Sequence, residues 1–176
     1  EMKAALGRED NLARFLKDSK VQHPVYHGTN SIFTEFDPKT IGSVTDEGWA
    51  GRGFYFHNDP ETARIYGRHV MPVHLSLKNP YDFNGKNFAE IVKSHGGPGP
   101  FSDWLRANGY DGSILWGQRM VLDPHQIKSA IGNRGTYDPK NPDITMADGG
   151  TVGQAVDDAT QYWLQFKEKH PEIALG

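Results

Sequence analysis

The segment GRGFYFHNDPETARIY, residues 51–66, restricts the fold more than any other part of the chain. Its run of aromatic residues after two glycines predicts a buried strand, and the strand leads directly into a helix. Asn58 and Glu61 have the spacing of a capping box, and Pro60 falls in the first helical turn, where a missing N–H costs nothing. The helix should end near Tyr66. A strand end and a helix start therefore lie within a few residues of each other.

Strands and helices are mixed along the rest of the 176 residues. Strand patterns occur in VYHGT, HVMPVHLSL, YDGSILW and QRMVLDP, and helical patterns occur in NLARFLKDSK, KNFAEIVKSH and FSDWLRANG. Turns join most of the strands, so the strands should pair mainly in an antiparallel way. This order predicts an α+β fold and not the strand–helix alternation of a doubly wound sheet.

Composition and motifs exclude several classes of protein. The net charge of -3 leaves no broad basic surface for phosphate contacts with nucleic acid. The chain has no cysteine, which rules out disulfides and thiolate metal sites. His23 and His27 are close in sequence, but Pro24 between them disfavours a shared helical face, so no metal site is predicted. GRGFYF contains G-x-G, but Phe56 stands where a dinucleotide-binding loop needs a small residue.

Apolar runs are short throughout the chain. None approaches 18 residues, and the start EMKAALGRED lacks the apolar stretch of a signal peptide. We therefore expect no membrane contact and a cytoplasmic location. No pattern in the sequence signals an oligomer.

Three motifs follow one another in the chain. They are VYHGT with His27, GRGFYF with Tyr55, and QRMVLD, which opens on Gln118; Tyr66 lies 11 residues after the first tyrosine. In this order they resemble the ADP-ribosyltransferase superfamily, in its diphtheria-toxin and poly(ADP-ribose)-polymerase-like branch. The run over residues 8–145 looks most like the ADP-ribosyltransferase domains of phage polyvalent proteins.

The resemblance implies a particular architecture. We expect one ADP-ribosyltransferase-like domain over residues 8–145, with two split, twisted antiparallel β-sheets, a cleft for NAD between them, and peripheral helices. Residues 146–176 should form a glycine linker and an amphipathic C-terminal helix. The apolar positions at helical spacing in this tail are Val156, Ala159, Tyr162, Trp163 and Phe166.

The resemblance also implies that the chain uses NAD as a co-substrate and needs no metal. It further implies how NAD would be held. His27 and Thr29 would hydrogen-bond the ribose hydroxyls, and the backbone of Gly28 would hold the carboxamide. Tyr55 and Tyr66 would sandwich the cationic nicotinamide ring, through stacking and cation–π attraction.

Further positions in these motifs have less defined roles. Gly51 and Gly53 should let the chain turn closely under the ligand. Arg52 is compatible with a phosphate contact and equally with a solvated loop. Ala63 stands where related enzymes place a serine that binds the carboxamide, so that hydrogen bond is in doubt.

Gln118 departs from the family pattern, which has an acidic residue there. The family carboxylate stabilises positive charge that develops on the ribose, whereas an amide supplies only a dipole. Three interpretations stay open. The subgroup transfers ADP-ribose without the glutamate, or a deliberate Glu→Gln change has disarmed a toxic enzyme, or the domain only binds NAD.

The function implied is mono-ADP-ribosyl transfer from NAD to a macromolecular acceptor. The acidic balance favours a protein acceptor over a nucleic acid. The chain would act in the cytoplasm, or as a toxin or effector delivered into a host cytoplasm within a larger protein. The alternatives are a non-catalytic module that binds NAD or ADP-ribose, and an NAD glycohydrolase that uses water as acceptor.

Overall fold

A computed structural model describes residues 2–41, 48–131 and 137–145. Its helices are α1 Met2–Leu16, α2 Pro60–Arg64, α3 Phe88–Ser94 and α4 Pro98–Ala107, with 3-10 turns at Pro38–Thr40 and Pro124–Gln126. Its strands are β1 Val25–Thr29, β2 Phe54–His57, β3 His69–Leu75, β4 Pro80–Asp82, β5 Gly112–Leu115, β6 Gln118–Val121 and β7 Ile127–Ser129. The predicted linker and C-terminal helix, residues 146–176, lie outside the described residues, and the domain boundaries stay a prediction.

The described strands form one seven-stranded sheet in the order β4-β5-β6-β2-β1-β3-β7. The neighbouring strands are antiparallel except β4 and β5, which are parallel. Helices lie around this sheet and do not alternate with its strands. The predicted α+β class is confirmed.

The sheet is nearly divided between β1 and β2. These strands share a single residue pair, Tyr26 with His57. By contrast, β1 and β3 share five pairs, and β2 and β6 share four. The half-sheets β4-β5-β6-β2 and β1-β3-β7 therefore separate beyond that pair, which is the split sheet that the resemblance implies.

The alternation of side chains along β2 divides the core into two clusters. Phe54 and Phe56 pack with Val25 and Val73 on one face of the sheet. Tyr55 points to the other face, where it packs against a cluster that includes Met120, Phe101 and Leu105. One short strand therefore joins both cores, and its backbone is held from both sides.

The start of α2 differs from the sequence-based prediction. The N-cap is Asp59, whose carboxylate accepts hydrogen bonds from the Glu61 N–H at 3.2 Å and the Thr62 hydroxyl at 2.9 Å. The predicted cap at Asn58 is wrong by one residue, because the shorter Asx bond at Asp59 replaces a capping box. The α-helix ends at Arg64, and the Tyr66 N–H donates to the Ala63 carbonyl at 3.1 Å in a tighter last turn.

Two glycines let α2 lie directly on β1. A Cβ built on Gly28 would lie 1.7 Å from the Ala63 carbonyl oxygen, and one built on Gly67 would lie 2.2 Å from the Thr29 carbonyl carbon. Real Cβ atoms do not approach backbone so closely, so both positions require glycine. This contact sets Tyr66 beside Gly28.

We predict that Gly28→Ala destabilises the protein by about 1–3 kcal/mol, because the added methyl must push α2 off β1. Gly117→Ala is the matched control, since a Cβ there meets nothing within 4 Å. Urea unfolding curves of both variants measure the difference. Equal midpoints for the two variants would mean that α2 does not lie on β1 as described.

Candidate active site

A cleft opens where β1 and β2 separate. Its volume is about 580 Å³, which falls in the range of small-molecule sites. The predicted site residues that line it are His27, Gly28, Thr29, Gly53, Tyr55, Tyr66 and Gln118. Arg52 and Ala63 are not among the residues that line it.

The His27 side chain fills the gap at the split. Its Nδ1 lies 2.8 Å from the Tyr55 carbonyl oxygen. A carbonyl only accepts, so Nδ1 carries the hydrogen and Nε2 has a lone pair. In a continuous antiparallel ladder this carbonyl would face the N–H of Gly28, two residues beyond Tyr26. His27 therefore satisfies a backbone group that the separation of the strands exposes.

Aromatic rings surround the His27 imidazole. The Phe36 and Phe56 ring centroids lie 4.9 Å and 5.4 Å from it. Burial lowers the pKa of His27 to about 4, against the opposing effect of the Tyr55 carbonyl, and His57 lowers it further. The ring is neutral at pH 7, and a neutral Nε2 can accept a hydrogen bond from a ribose hydroxyl.

We predict that acid destabilises the protein partly through His27. In the unfolded chain His27 binds a proton below pH 6.5, whereas in the folded chain it binds a proton only below about pH 4. As the pH is lowered from 6.5 to 4, the free energy of unfolding should therefore decrease by roughly 3 kcal/mol because of this group.

The control for this prediction is His27→Asn, which keeps a donor for the Tyr55 carbonyl but does not titrate. The pKa values of His57 and His74 are also lowered by burial, so part of the acid dependence should persist in the variant. Urea midpoints between pH 4 and 7 test the difference. An identical pH dependence in variant and parent would contradict the neutral state of His27.

The peptide groups of Gly28 point into the gap. Pro72, which pairs with Tyr26, has no N–H, and its carbonyl accepts from the Ala130 N–H at 3.0 Å on the far side of β3. Tyr26 therefore directs its own N–H and C=O towards β2, and the alternation of the ladder gives Gly28 the same direction. Because β2 has already separated there, a ligand carboxamide can meet the Gly28 backbone.

Tyr55 is a fixed wall of the cleft. Its hydroxyl accepts from the Ala50 N–H at 3.1 Å and donates to the Gly51 carbonyl. Gly48 has a φ of 99°, and a Cβ there would lie 2.2 Å from the Tyr55 hydroxyl. The ring and the loop before β2 therefore hold each other in place.

Tyr66 forms a second, more exposed wall. Its side chain is 54% exposed and stacks on His57, with ring centroids 5.1 Å apart and planes at 10°. His57 is not among the site residues that the motifs predict. The signal available was the period of two along β2, which puts its side chain on the same face as Tyr55.

Gln118 opens β6 and pairs with His57 in the neighbouring strand. The carboxylates among the described lining residues are Glu35 and Asp37, which belong to the segment between β1 and β2. Asp37 accepts the Lys39 N–H at 2.9 Å as the cap of the 3-10 turn. Sequence reasoning had not connected these two acidic residues with the cleft.

Lys128 supports the segment that contains Glu35, which forms a β-bridge with Asp143. It is 1% exposed, and its Nζ donates to the carbonyls of Asn141 and, at 3.3 Å, Asp143. Burial lowers its pKa to about 8. The loop that carries Asn141 and Asp143 is also bonded to the residue before Glu35, since the Ile144 N–H donates to the Thr34 carbonyl at 2.8 Å.

The remaining predicted residues have mainly structural surroundings. The Arg52 N–H donates to the Ser102 hydroxyl at 2.7 Å, and the Arg52 side chain is exposed. Ala63 is fully buried under β1. A Cβ on Gly53 would lie 2.5 Å from the Val121 carbonyl oxygen, so close strand packing requires this glycine.

The described ranges contain neither a metal-binding group nor a membrane-spanning helix. No group of three or more His, Asp or Glu side chains in those ranges is placed to hold a metal ion. Among the helices described, none has the length and apolar character needed to cross a membrane.

Comparison with known families agrees with this geometry. Residues 22–137, more than half of the chain, match the family described as ADP-ribosyltransferase in polyvalent proteins. None of the curated proteins or solved structures compared with the chain matches it. The chain belongs to this ADP-ribosyltransferase family, whose domains use NAD as substrate, and the match covers the cleft residues from His27 to Gln118.

Proposed function

We propose that this domain cleaves the bond between nicotinamide and ribose in NAD and transfers a single ADP-ribose unit to a protein acceptor. The observation that carries the proposal is the convergence of His27, Tyr55, Tyr66 and Gln118 on one cleft at the split of the sheet. They come from β1, from β2, from the turn after α2 and from β6, and the fold brings them together there.

Each group has a task that its surroundings support. Neutral His27 accepts from a ribose hydroxyl, and the Gly28 peptide holds the carboxamide. Tyr55 is a rigid wall for the nicotinamide ring, and Tyr66 is an exposed one. Stacking of a cationic ring on tyrosine is worth roughly 0.5–2 kcal/mol, depending on how dry the site is.

Ala63 cannot supply the hydrogen bond that related enzymes take from a serine. Its methyl group has no donor, and it is buried against β1. The carboxamide would therefore depend on the Gly28 backbone alone among the predicted contacts, which should weaken the binding of NAD relative to a site with both partners.

The acceptor and the setting of the reaction are also proposals. A net charge of -3 disfavours nucleic acid and supports a protein side chain as the acceptor. We place the reaction in a cytoplasm, either that of the producing cell or that of a host into which a larger toxin or effector delivers the domain.

Incubation with labelled NAD in host lysate separates the proposal from its two alternatives. Label on a partner protein supports transfer. Free ADP-ribose with no labelled partner identifies an NAD glycohydrolase. NAD that is bound and recovered unchanged identifies a binding module and contradicts the proposal.

We predict that Tyr66→Ala weakens NAD binding by about 1–2 kcal/mol, through the loss of one stacking wall. Ile65→Ala is the matched control, since Ile65 is 79% exposed, adjacent, and not among the cleft residues. Calorimetric titration with NAD measures both variants. If the two bind NAD equally well, Tyr66 does not stack on the nicotinamide.

We predict that Gln118→Glu raises the rate of nicotinamide release by about 10²–10³, because a carboxylate would stabilise positive charge on the ribose. The rate is measured at saturating NAD, with the affinity determined separately. A folded variant that binds NAD equally well and shows no gain would mean that residue 118 does not face the ribose.

A further inference from the structure

His57 occupies the junction of the two half-sheets. It pairs with Tyr26 on β1 and with Gln118 on β6, and its ring lies against Tyr66 at the end of α2. The residue is 7% exposed, yet it lines the cleft. Among the described residues, its imidazole has no hydrogen-bond partner.

The register places His57 next to the position where the family has its acid. Residues directly opposite each other in an antiparallel pair share a face of the sheet, with Cβ atoms about 5 Å apart. Gln118 is opposite His57, so both side chains project to the face that also carries Tyr55. Of these three residues, His57 has the group that can take up a proton near neutral pH.

The surroundings of His57 favour its neutral form. Burial lowers its pKa below the usual 6.5, and the Asp59 carboxylate near the start of α2 opposes this. The residue opposite it on β1 is Tyr26, with a phenol, and the residue opposite it on β6 is the uncharged Gln118. The neutral ring of His27 lies on the other face of the sheet, near enough to interact with His57 electrostatically. A neutral imidazole in this position has a lone pair that can accept a proton.

We propose that His57 is the catalytic base that takes the proton of the acceptor, a role that the amide of Gln118 cannot fill. The inference rests on the proposed function. In the step, the bond from ribose C1′ to nicotinamide breaks and its electron pair leaves with the nicotinamide. The acceptor heteroatom forms the new bond to C1′, and its proton passes to His57.

A purely structural role for His57 makes a different prediction. If the ring serves only as a stacking partner for Tyr66, then phenylalanine should replace it without loss. If the ring nitrogen acts as a base, phenylalanine keeps the stack and removes the function. His57→Phe therefore separates the two roles.

The first test measures nicotinamide release from NAD with water as the acceptor, between pH 4.5 and 8.5. General bases contribute about 10²–10⁴-fold in rate, so His57→Phe should lose about that factor while its affinity for NAD stays the same. In the parent, the rate should fall with acid along a limb below pH 6.5, and the variant should lack this limb.

The second test is a double-mutant cycle with Gln118→Glu. A carboxylate at 118 can take the proton itself. His57→Phe should therefore lower the rate of nicotinamide release far less in the Gln118→Glu background than in the parent. Recovery of release in the double variant also shows that the His57→Phe change leaves the protein folded.

The outcomes distinguish the two levels of inference. If the parent releases nicotinamide and His57→Phe keeps its rate and pH limb, the base role is overturned and the proposed function stands. If His57→Phe lowers the rate equally in both backgrounds and by a factor that does not change with pH, the base role is likewise overturned. If neither the parent nor Gln118→Glu releases nicotinamide, then the proposed function fails, and the role of His57 with it.

Discussion

The hydrogen bond from His27 Nδ1 to the Tyr55 carbonyl allows the sheet to be split. Strands that separate in mid-sheet leave peptide groups unpaired, and each buried one costs about 1–3 kcal/mol. His27 satisfies the first such group on β2 at 2.8 Å, and its ring packs among phenylalanines on the face opposite Tyr55. The Gly28 peptide then points into open space instead of bonding to β2. One imidazole thus compensates for the separation of the strands, and the Gly28 peptide remains available to a ligand in the cleft.

The two walls of the cleft depend on contacts that lie outside it. Tyr66 is held by α2, which rests on β1 because Gly28 and Gly67 leave room for its backbone. The segment that contains Glu35 and Asp37 is held by the loop that ends at Ile144, and buried Lys128 donates hydrogen bonds to carbonyls of this loop. A cation bonded to carbonyls inside the protein is costly unless its geometry is satisfied, which is consistent with the lowered pKa of Lys128.

Local patterns predicted much of the fold but not its long-range arrangement. The alternation around Tyr55 and the proline at the start of α2 predicted β2 and the helix after it, because these signals depend on neighbours in sequence. The cap was misplaced by one residue, since Asn58 and Asp59 are both good caps and only the backbone decides between them. The period of two along β2 puts His57 on the face of Tyr55, but its place beside Gln118 depends on the strand register, which a single sequence does not fix. Glu35 was missed because a distant loop brings it to the cleft.

The charge of the cleft explains why the departure from the family pattern at Gln118 matters for the proposed reaction. His27 is neutral, Gln118 is uncharged, and the carboxylates lining the described cleft are those of Glu35 and Asp37. Two unit charges 6 Å apart at an effective dielectric of 20 interact by about 3 kcal/mol, which is roughly a hundredfold in rate. Under the proposed function, a site with an uncharged residue at 118 must therefore stabilise the developing charge by dipoles and by the electron-rich faces of Tyr55 and Tyr66. Such a site can still hold a cationic ring, since stacking does not need a full negative charge. The proposed transfer also needs a group that accepts a proton, and the nearest such group to Gln118 in the sheet register is His57.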